Sequence, residues 1–197
     1  DATSVSAGQD TCVTAGGTLT CVGSHQGLTE LFASGAQAVA GFHNEHCAIV
    51  DGGLWCWASG ETPSAVQGFD AGVALVQLSF GGRTCVVRDG EVWCGSWRSA
   101  LELVDVPGPV TAVAVGPYHT CAVSGVELYC WGANWDHQIS VSNEEHLDPT
   151  IIAMQDGAIA TDVSAGMMHT CAVAAGGVQC WGSNYEGSRG DAGLQLK

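Results

Sequence analysis

Basic residues are the scarcest chemical class in this 197-residue chain. Lysine and arginine total five against 20 aspartates and glutamates, and the single lysine is the last residue. The formal net charge at pH 7 is therefore −15. Such a charge repels the phosphates of nucleic acids and the anionic head groups of lipids. The composition argues against binding to nucleic acid or to a membrane surface.

Long apolar runs and catalytic motifs are also absent. No stretch of 18 apolar residues is present, so we expect no membrane span. The first ten residues, DATSVSAGQD, lack the charged-then-apolar pattern of a secretory leader, so any leader is expected to have been removed. There is no G-x-S-x-G, no H-E-x-x-H and no phosphate-binding glycine loop with a lysine. These absences predict a protein that is not an enzyme.

What the chain does have is ten cysteines in five pairs of identical C-x8-C spacing. The pairs are Cys12/Cys21, Cys47/Cys56, Cys85/Cys94, Cys121/Cys130 and Cys171/Cys180. Structural zinc sites use shorter spacings with four converging ligands, so the pattern favours disulfides. Oxidised pairs indicate an exported protein, either secreted or on the outer cell surface.

Each cysteine pair brackets a turn at its midpoint. Asp51-Gly52 and Asp89-Gly90 are typical of two-residue hairpin turns because these residues tolerate positive φ. The spacing then sets the two cysteines of each pair opposite one another on adjacent strands. Apolar segments such as AVAVG (112–116) precede the first cysteine and predict one further strand per unit.

The units repeat along the whole chain. Successive first cysteines are 35, 38, 36 and 50 residues apart, and self-similarity at this period is typical of propellers and solenoids. We therefore expect an all-β chain in a single domain of five disulfide-stapled hairpin repeats. Their approximate bounds are 5–35, 36–73, 74–110, 111–160 and 161–197.

Units four and five carry the clearest repeat motif. They read VAVGPYHTCAVSGVELYCWGAN (113–134) and VSAGMMHTCAVAAGGVQCWGSN (163–184). This resembles the regulator of chromosome condensation repeat, with Asp10, Glu45 and Arg83 in place of the histidine in units one to three. The resemblance implies a small β-propeller-like arrangement with one repeat per blade.

Unit four departs from the repeat after its second cysteine. It reads WGANWDHQIS (131–140) where unit five reads WGSNYEGSRG, so His137 replaces a glycine and Trp135 fills a variable position. An insertion, VSNEEHLDPT (141–150), follows, and its EEHLD segment (144–148) is expected to be a solvated acidic loop. In extended backbone, Trp135 and His137 project to the same side.

His119 and His169 are expected at the same end of their sheets as His137. Two or three imidazoles on one face would suit copper, zinc or nickel. The alternative is that His119 and His169 form hydrogen bonds within the repeat.

The Trp-x-His element on an acidic, exported, cysteine-paired chain resembles a copper-binding family. It is similar to surface proteins of methane-oxidising bacteria, the MopE and copper-repressible CorA family. The resemblance implies that Trp135 is oxidised to kynurenine, whose amine binds one Cu(I) together with His137 and a second histidine. His169 is the first choice for that second ligand, with His119 and His146 as alternates.

Two functions therefore compete. One is a monomeric exported protein that binds copper for its acquisition, with a copper-uptake or surface protein as a partner. The other is a metal-free β-propeller that binds a protein, as an interaction or inhibitor module.

Overall fold

The computed structural model describes residues 2–23, 27–142 and 144–190, which form five antiparallel sheets of consecutive strands. The first sheet contains β1 (Ala2–Ala7), β2 (Asp10–Ala15), β3 (Thr18–Gly23) and β4 (Gly27–Phe32). The second contains β5 (Ala36–Phe42), β6 (Glu45–Val50), β7 (Gly53–Ala58) and β8 (Ser64–Ala65). The third contains β9 (Val73–Ser79), β10 (Arg83–Arg88), β11 (Glu91–Ser96) and β12 (Ala100–Val104).

The fourth and fifth sheets follow the same order. The fourth contains β13 (Val110–Val115), β14 (His119–Ser124), β15 (Glu127–Gly132) and β16 (His146–Ile152). The fifth, within the described residues, contains β17 (Ala160–Ala165), β18 (His169–Ala174) and β19 (Gly177–Gly182). Three single-turn 3₁₀ helices lie at Phe80–Gly82, Gln155–Gly157 and Tyr185–Gly187. The all-β prediction is confirmed, and so is one hairpin for each cysteine pair.

All five predicted disulfides are formed, each across one hairpin. In the fourth sheet Cys121 lies directly opposite Cys130, and the other sheets have the same register where their ladders are described. The paired Cα atoms are 4.1 to 4.2 Å apart. The hairpin turns are built as the sequence predicts, because Asp51, Asp89 and Ala175 have left-handed φ and each precedes a glycine that does too.

The chain divides into two compact units, numbered 1 and 2, which are distinct from the five sequence repeats (units one to five). Unit 1 comprises residues 1–89 and 93–102, and unit 2 comprises residues 90–92 and 103–197. The apolar core of unit 1 forms two clusters, one around Leu19 and Trp57 and the other around Ile49, Leu54 and Val86. The prediction of a single domain stays a prediction.

Unit 2 has one apolar core, formed between its two sheets. Leu128, Ile139 and Trp181 are among its fully or almost fully buried members, and the Cys121–Cys130 disulfide lies within it. Burial of a disulfide beside an indole ring gives a short hairpin the apolar contacts that its own length cannot provide.

The acidic insertion is only partly a loop. Glu144 and Glu145 are exposed and outside any strand, whereas residues from His146 onward belong to β16. β16 pairs with β15 through Cys130–Thr150 and Tyr129–Ile151. The expectation of a loop over residues 144–148 is therefore wrong from His146 onward, because hydrogen bonding to the β15 edge outweighs the polar composition. Within the described residues, no helix has the length and apolarity needed to cross a bilayer.

Candidate functional site

The strand β15 ends at Gly132, and the segment that departs from the repeat follows it. Gly132 has a φ of 109°, and a Cβ there would lie 2.5 Å from the Tyr118 carbonyl oxygen. Only glycine fits this close approach. The next residue, Ala133, donates its backbone N–H to the same carbonyl at 2.9 Å. The exit from β15 is thereby held against the loop that enters β14.

Asn134 organises the loop that follows. Its side chain is fully buried, and its Oδ1 accepts the backbone N–H groups of Ile139 at 2.8 Å and Ser140 at 3.0 Å. Its Nδ2 donates to the Ser140 hydroxyl at 3.0 Å and to the carbonyl of Ser142. The side-chain amide of Asn134 therefore supplies hydrogen bonds to the backbone of Ile139, Ser140 and Ser142, which do not pair with a neighbouring strand.

A second anchor joins the loop to the fifth sheet. The Thr170 hydroxyl donates to the Gln138 carbonyl at 2.7 Å, and His119 Nε2 lies 2.7 Å from the same hydroxyl. Because a hydroxyl has a single proton, the Nε2–H of His119 is the donor in the second bond. All three side chains are fully buried. This bond joins His119 to the next repeat and is not a hydrogen bond within its own repeat.

Trp135 and His137 lie in a tight turn between these anchors. His137 donates its backbone N–H to the Asn134 carbonyl at 3.2 Å and has a φ of 58°. The corresponding residue of unit five is Gly187, whose φ is 75°. The repeat therefore does require a left-handed residue here, and His137 occupies that position. The expectation of extended backbone is wrong, so alternation along a strand does not determine where the two side chains point.

Both side chains of this turn are exposed. Trp135 is 54% exposed, whereas Trp131, beside the second cysteine, is 6% exposed. The imidazole of His137 has no hydrogen bond or ion pair within the described residues. Hydrogen bonds of the buried residues Asn134 and Gln138 thus hold the loop, and the side chains of Trp135 and His137 are exposed to solvent.

Trp135 has an aromatic neighbour that sequence reasoning missed. The ring of Tyr118 lies 5.6 Å from that of Trp135 between centroids, at an interplanar angle of 52°, and Tyr118 is 39% exposed. Tyr118 immediately precedes the repeat histidine in the loop that enters β14. The sequence feature that marks Tyr118 is an aromatic residue at a loop position where unit five has Met168.

His146, an alternate copper ligand, has hydrogen bonds at both ring nitrogens. Its Nδ1 lies 3.1 Å from the Thr150 hydroxyl and its Nε2 lies 3.0 Å from the Ser140 hydroxyl. The Thr150 hydroxyl donates to the Asp148 carbonyl, so Nδ1–H of His146 is the donor and Nε2 accepts from Ser140. A metal ion at His146 would have to displace the Ser140 hydroxyl.

His169, the first choice for the second ligand, lies close to the loop of His137. A Cβ placed on Gly182 would lie 2.8 Å from the Cα of His169 and 3.1 Å from the Cα of Gln138. His169 is half-buried and is followed directly by Thr170, which binds the Gln138 carbonyl. Backbone geometry therefore brings the neighbourhoods of His137 and His169 together. Fully buried His119 has its Nε2 committed to Thr170.

Within residues 2–23, 27–142 and 144–190, no three histidine, cysteine, aspartate or glutamate side chains gather as a metal-ion group. A site of two imidazoles completed by an amine does not require such a group. Imidazole nitrogens such as those of His137 and His169 are ligands that suit copper, zinc or nickel.

Unit 1 contains a histidine with polar and aromatic contacts, His46, in β6. His46 is fully buried, stacks on Trp57 and lies 3.3 Å from the Ser59 hydroxyl and 3.6 Å from an Asp10 carboxylate oxygen. Burial lowers the pKa of His46 below its usual value, and the Asp10 charge partly opposes that shift. It occupies the position at which the other four repeats have threonine.

Solved structures that superpose on about nine tenths of this chain show which fold it resembles. Human WBSCR16 superposes with a TM-score of 0.76 at 16% identity over 92% of this chain and 62% of that one. Yeast RCC1 (Prp20), in its structure with Kap60, gives 0.69 at 13% identity over 89% and 54%. The ectodomain of the Arabidopsis thaliana receptor kinase ACR4 gives 0.62 at 18% identity over 91% and 68%.

The fold is that of the regulator of chromosome condensation repeat propellers. The predicted repeat resemblance is thus confirmed at the level of fold. The chain spans about three fifths of the length of human WBSCR16 and about half that of yeast Prp20. No protein-family profile and no curated protein sequence matches the chain.

Proposed function

We propose that this chain is an exported, non-catalytic module that binds a protein partner through the loop end of its fourth sheet. The observation that carries the proposal is the exposed Tyr118–Trp135 pair on a loop anchored by buried Asn134 and Gln138. Tryptophan and tyrosine supply much of the binding energy at protein interfaces. A loop already held by buried hydrogen bonds loses little conformational entropy on binding.

The rest of unit 2 supports the same surface. Tyr185 follows Asn184 as Trp135 follows Asn134, and it is 78% exposed. Met167, in the loop that enters β18, is also exposed. Exposed aromatic side chains therefore recur at the equivalent end of both sheets of the unit, and the fifth sheet adds a methionine; a binding surface would use both kinds of side chain.

Similar folds are known in complexes with proteins. Yeast Prp20 was solved bound to Kap60, and a second structure of it was described with its binding to Gsp1p and histones. These partners belong to Prp20. What carries over as support is that a protein of similar fold binds other proteins. The five disulfides suit an oxidising compartment, in which an exported module would work.

The test is cross-linking of the purified chain to proteins of its own host's surface and secreted fraction, followed by affinity measurement with the captured partner. Trp135→Ala is expected to weaken binding by at least about 30-fold, which is the effect of removing a hot-spot residue. Val126→Ala is the matched control, because Val126 is also exposed, at 65%, but lies in the hairpin turn at the other end of the fourth sheet. Equal affinities of the two variants would contradict the proposal.

A second candidate function is copper binding for acquisition, with transfer to an uptake or surface protein. The observation that favours it is the exposed, unpartnered imidazole of His137 in the same turn as exposed Trp135, next to the chain neighbourhood of His169. An intact indole N–H has no in-plane lone pair for a metal. Dioxygen would open the Trp135 ring to N-formylkynurenine, and water would release formate, leaving kynurenine with a free aryl amine. His137, His169 and that amine would then hold Cu(I).

This candidate is tested by peptide mapping of native protein together with metal analysis. The peptide containing Trp135 is expected to gain one oxygen atom and lose one carbon atom, and each chain to retain one copper. His137→Gly should abolish copper retention. His43→Gly is the matched control, since His43 is also exposed and left-handed. An unmodified Trp135 in copper-free native protein would remove this candidate and leave the protein-binding one.

A further inference from the structure

The aromatic pair of unit 2 lies in a strongly acidic unit. Residues 90–92 and 103–197 contain eleven aspartates and glutamates against one arginine and one lysine. Asp136 follows Trp135 in the same turn and is half-buried. Its backbone N–H donates to the Gln138 side-chain oxygen at 2.8 Å. Within the described residues its carboxylate has no hydrogen bond or ion pair.

Unit 1 shows how this chain accommodates a cation beside an aromatic ring. The Arg98 guanidinium carbon lies 4.3 Å from the ring centroid of Trp97, and Arg98 Nε lies 2.9 Å from a Glu45 carboxylate oxygen. In the same unit, Arg88 lies over the ring of Phe69 and 3.5 Å from an Asp89 carboxylate oxygen. Both arginines thus combine an aromatic face with a carboxylate.

Unit 2 has the ring and the carboxylate without the cation. Arg189 is the one lysine or arginine in its described part, and no cation–π contact is formed there. The faces of Tyr118 and Trp135 carry the negative end of the ring quadrupole, which attracts a cation and repels an anion. The charge of unit 2 adds to that attraction.

We propose that Tyr118, Trp135 and Asp136 form a binding site for an arginine side chain of the protein partner. The inference rests on the proposed protein-binding function and names the chemistry of the partner's anchor. A guanidinium is favoured because it is planar, stacks on an indole face and pairs with a carboxylate at the same time. An apolar anchor would not use the carboxylate of Asp136.

The test uses Nα-acetyl-arginine amide as the probe, titrated into the full chain with intact disulfides. The nuclear magnetic resonance signal of the Trp135 indole N–H, assigned by its loss in Trp135→Phe, reports binding. Nα-acetyl-citrulline amide is the neutral probe of nearly the same shape. A saturable shift with arginine and none with citrulline is expected. Equal shifts with both probes would overturn the proposal.

Two carboxylate variants test the residue assignment. Asp136→Asn is expected to weaken arginine binding by about two- to five-fold, the effect of losing one exposed charge partner at such a site. Asp148→Asn is the matched control, because Asp148 is an exposed acid of the same unit outside the loop, and it should leave binding unchanged. Equal weakening by the two variants would mean that only the net charge attracts the probe, which overturns the site.

The two proposals fail in different ways. If Trp135→Ala abolishes partner binding while arginine leaves the indole signal unmoved, the protein-binding function stands and the arginine site is refuted. If Trp135→Ala leaves partner binding intact, the protein-binding function itself fails, and with it the role given to the arginine site.

Discussion

Replacing Asn134 by alanine is expected to destabilise unit 2 far more than the same change at Asn184. Both asparagines occupy the same repeat position. In Asn134→Ala the buried N–H of Ile139 loses its acceptor, at about 1–3 kcal/mol, and the half-buried N–H of Ser140 loses one at about 0.5–1.5 kcal/mol. The total is about 2–4 kcal/mol. Asn184 is exposed and accepts one hydrogen bond, from the Arg189 N–H at 3.0 Å, so its loss should cost about 1 kcal/mol or less.

Urea unfolding followed by circular dichroism measures the difference. With a slope of about 2 kcal/mol per molar urea, Asn134→Ala should lower the midpoint by about 1–2 M and Asn184→Ala by less than about 0.5 M. The Trp135 emission of Asn134→Ala should also move to longer wavelength, because the turn loses its support. Equal midpoint shifts in the two variants would refute the claim that the buried amide of Asn134 organises the loop.

Three further predictions concern the scaffold. Gly132→Ala should lower the free energy of unfolding by about 2 kcal/mol or more, because the new Cβ would strike the Tyr118 carbonyl. Gly125→Ala has open space around the new Cβ and should lower it by about 1 kcal/mol. Thermal unfolding of the two variants measures the difference. Stability should fall as the pH drops below about 6.5, because unfolded His46 binds a proton that the buried ring resists. His46→Gln should lose that dependence in denaturant titrations from pH 5 to 8. Half-buried Cys171–Cys180 should be reduced before fully buried Cys121–Cys130 under native conditions, which alkylation and peptide mapping detect, and the reverse order would contradict it.

The repeat scaffold was predictable because its signals are local. The C-x8-C spacing and the Asp-Gly turns specify a hairpin and its register within ten residues of chain, as Cys47 and Cys56 illustrate. The left-handed position filled by His137 was also predictable, since the repeat has Gly187 at the same place. The fourth strand β16 was not, because its residues HLDPTII carry no alternation that marks a strand.

The sequence by itself determined the disulfide pairing, the hairpins and the position at which the fourth repeat departs from the others. Only the tertiary structure decided how the segment at that position is held and which of its side chains are exposed. Two of the contacts that hold the loop join residues far apart in the chain: Thr170 binds the Gln138 carbonyl across 32 residues, and His119 binds Thr170 across 51. No local pattern encodes such pairs, because they form only once neighbouring sheets pack and exclude water from their polar groups. That packing buries His119 and Asn134 and leaves Trp135 and His137 in solvent.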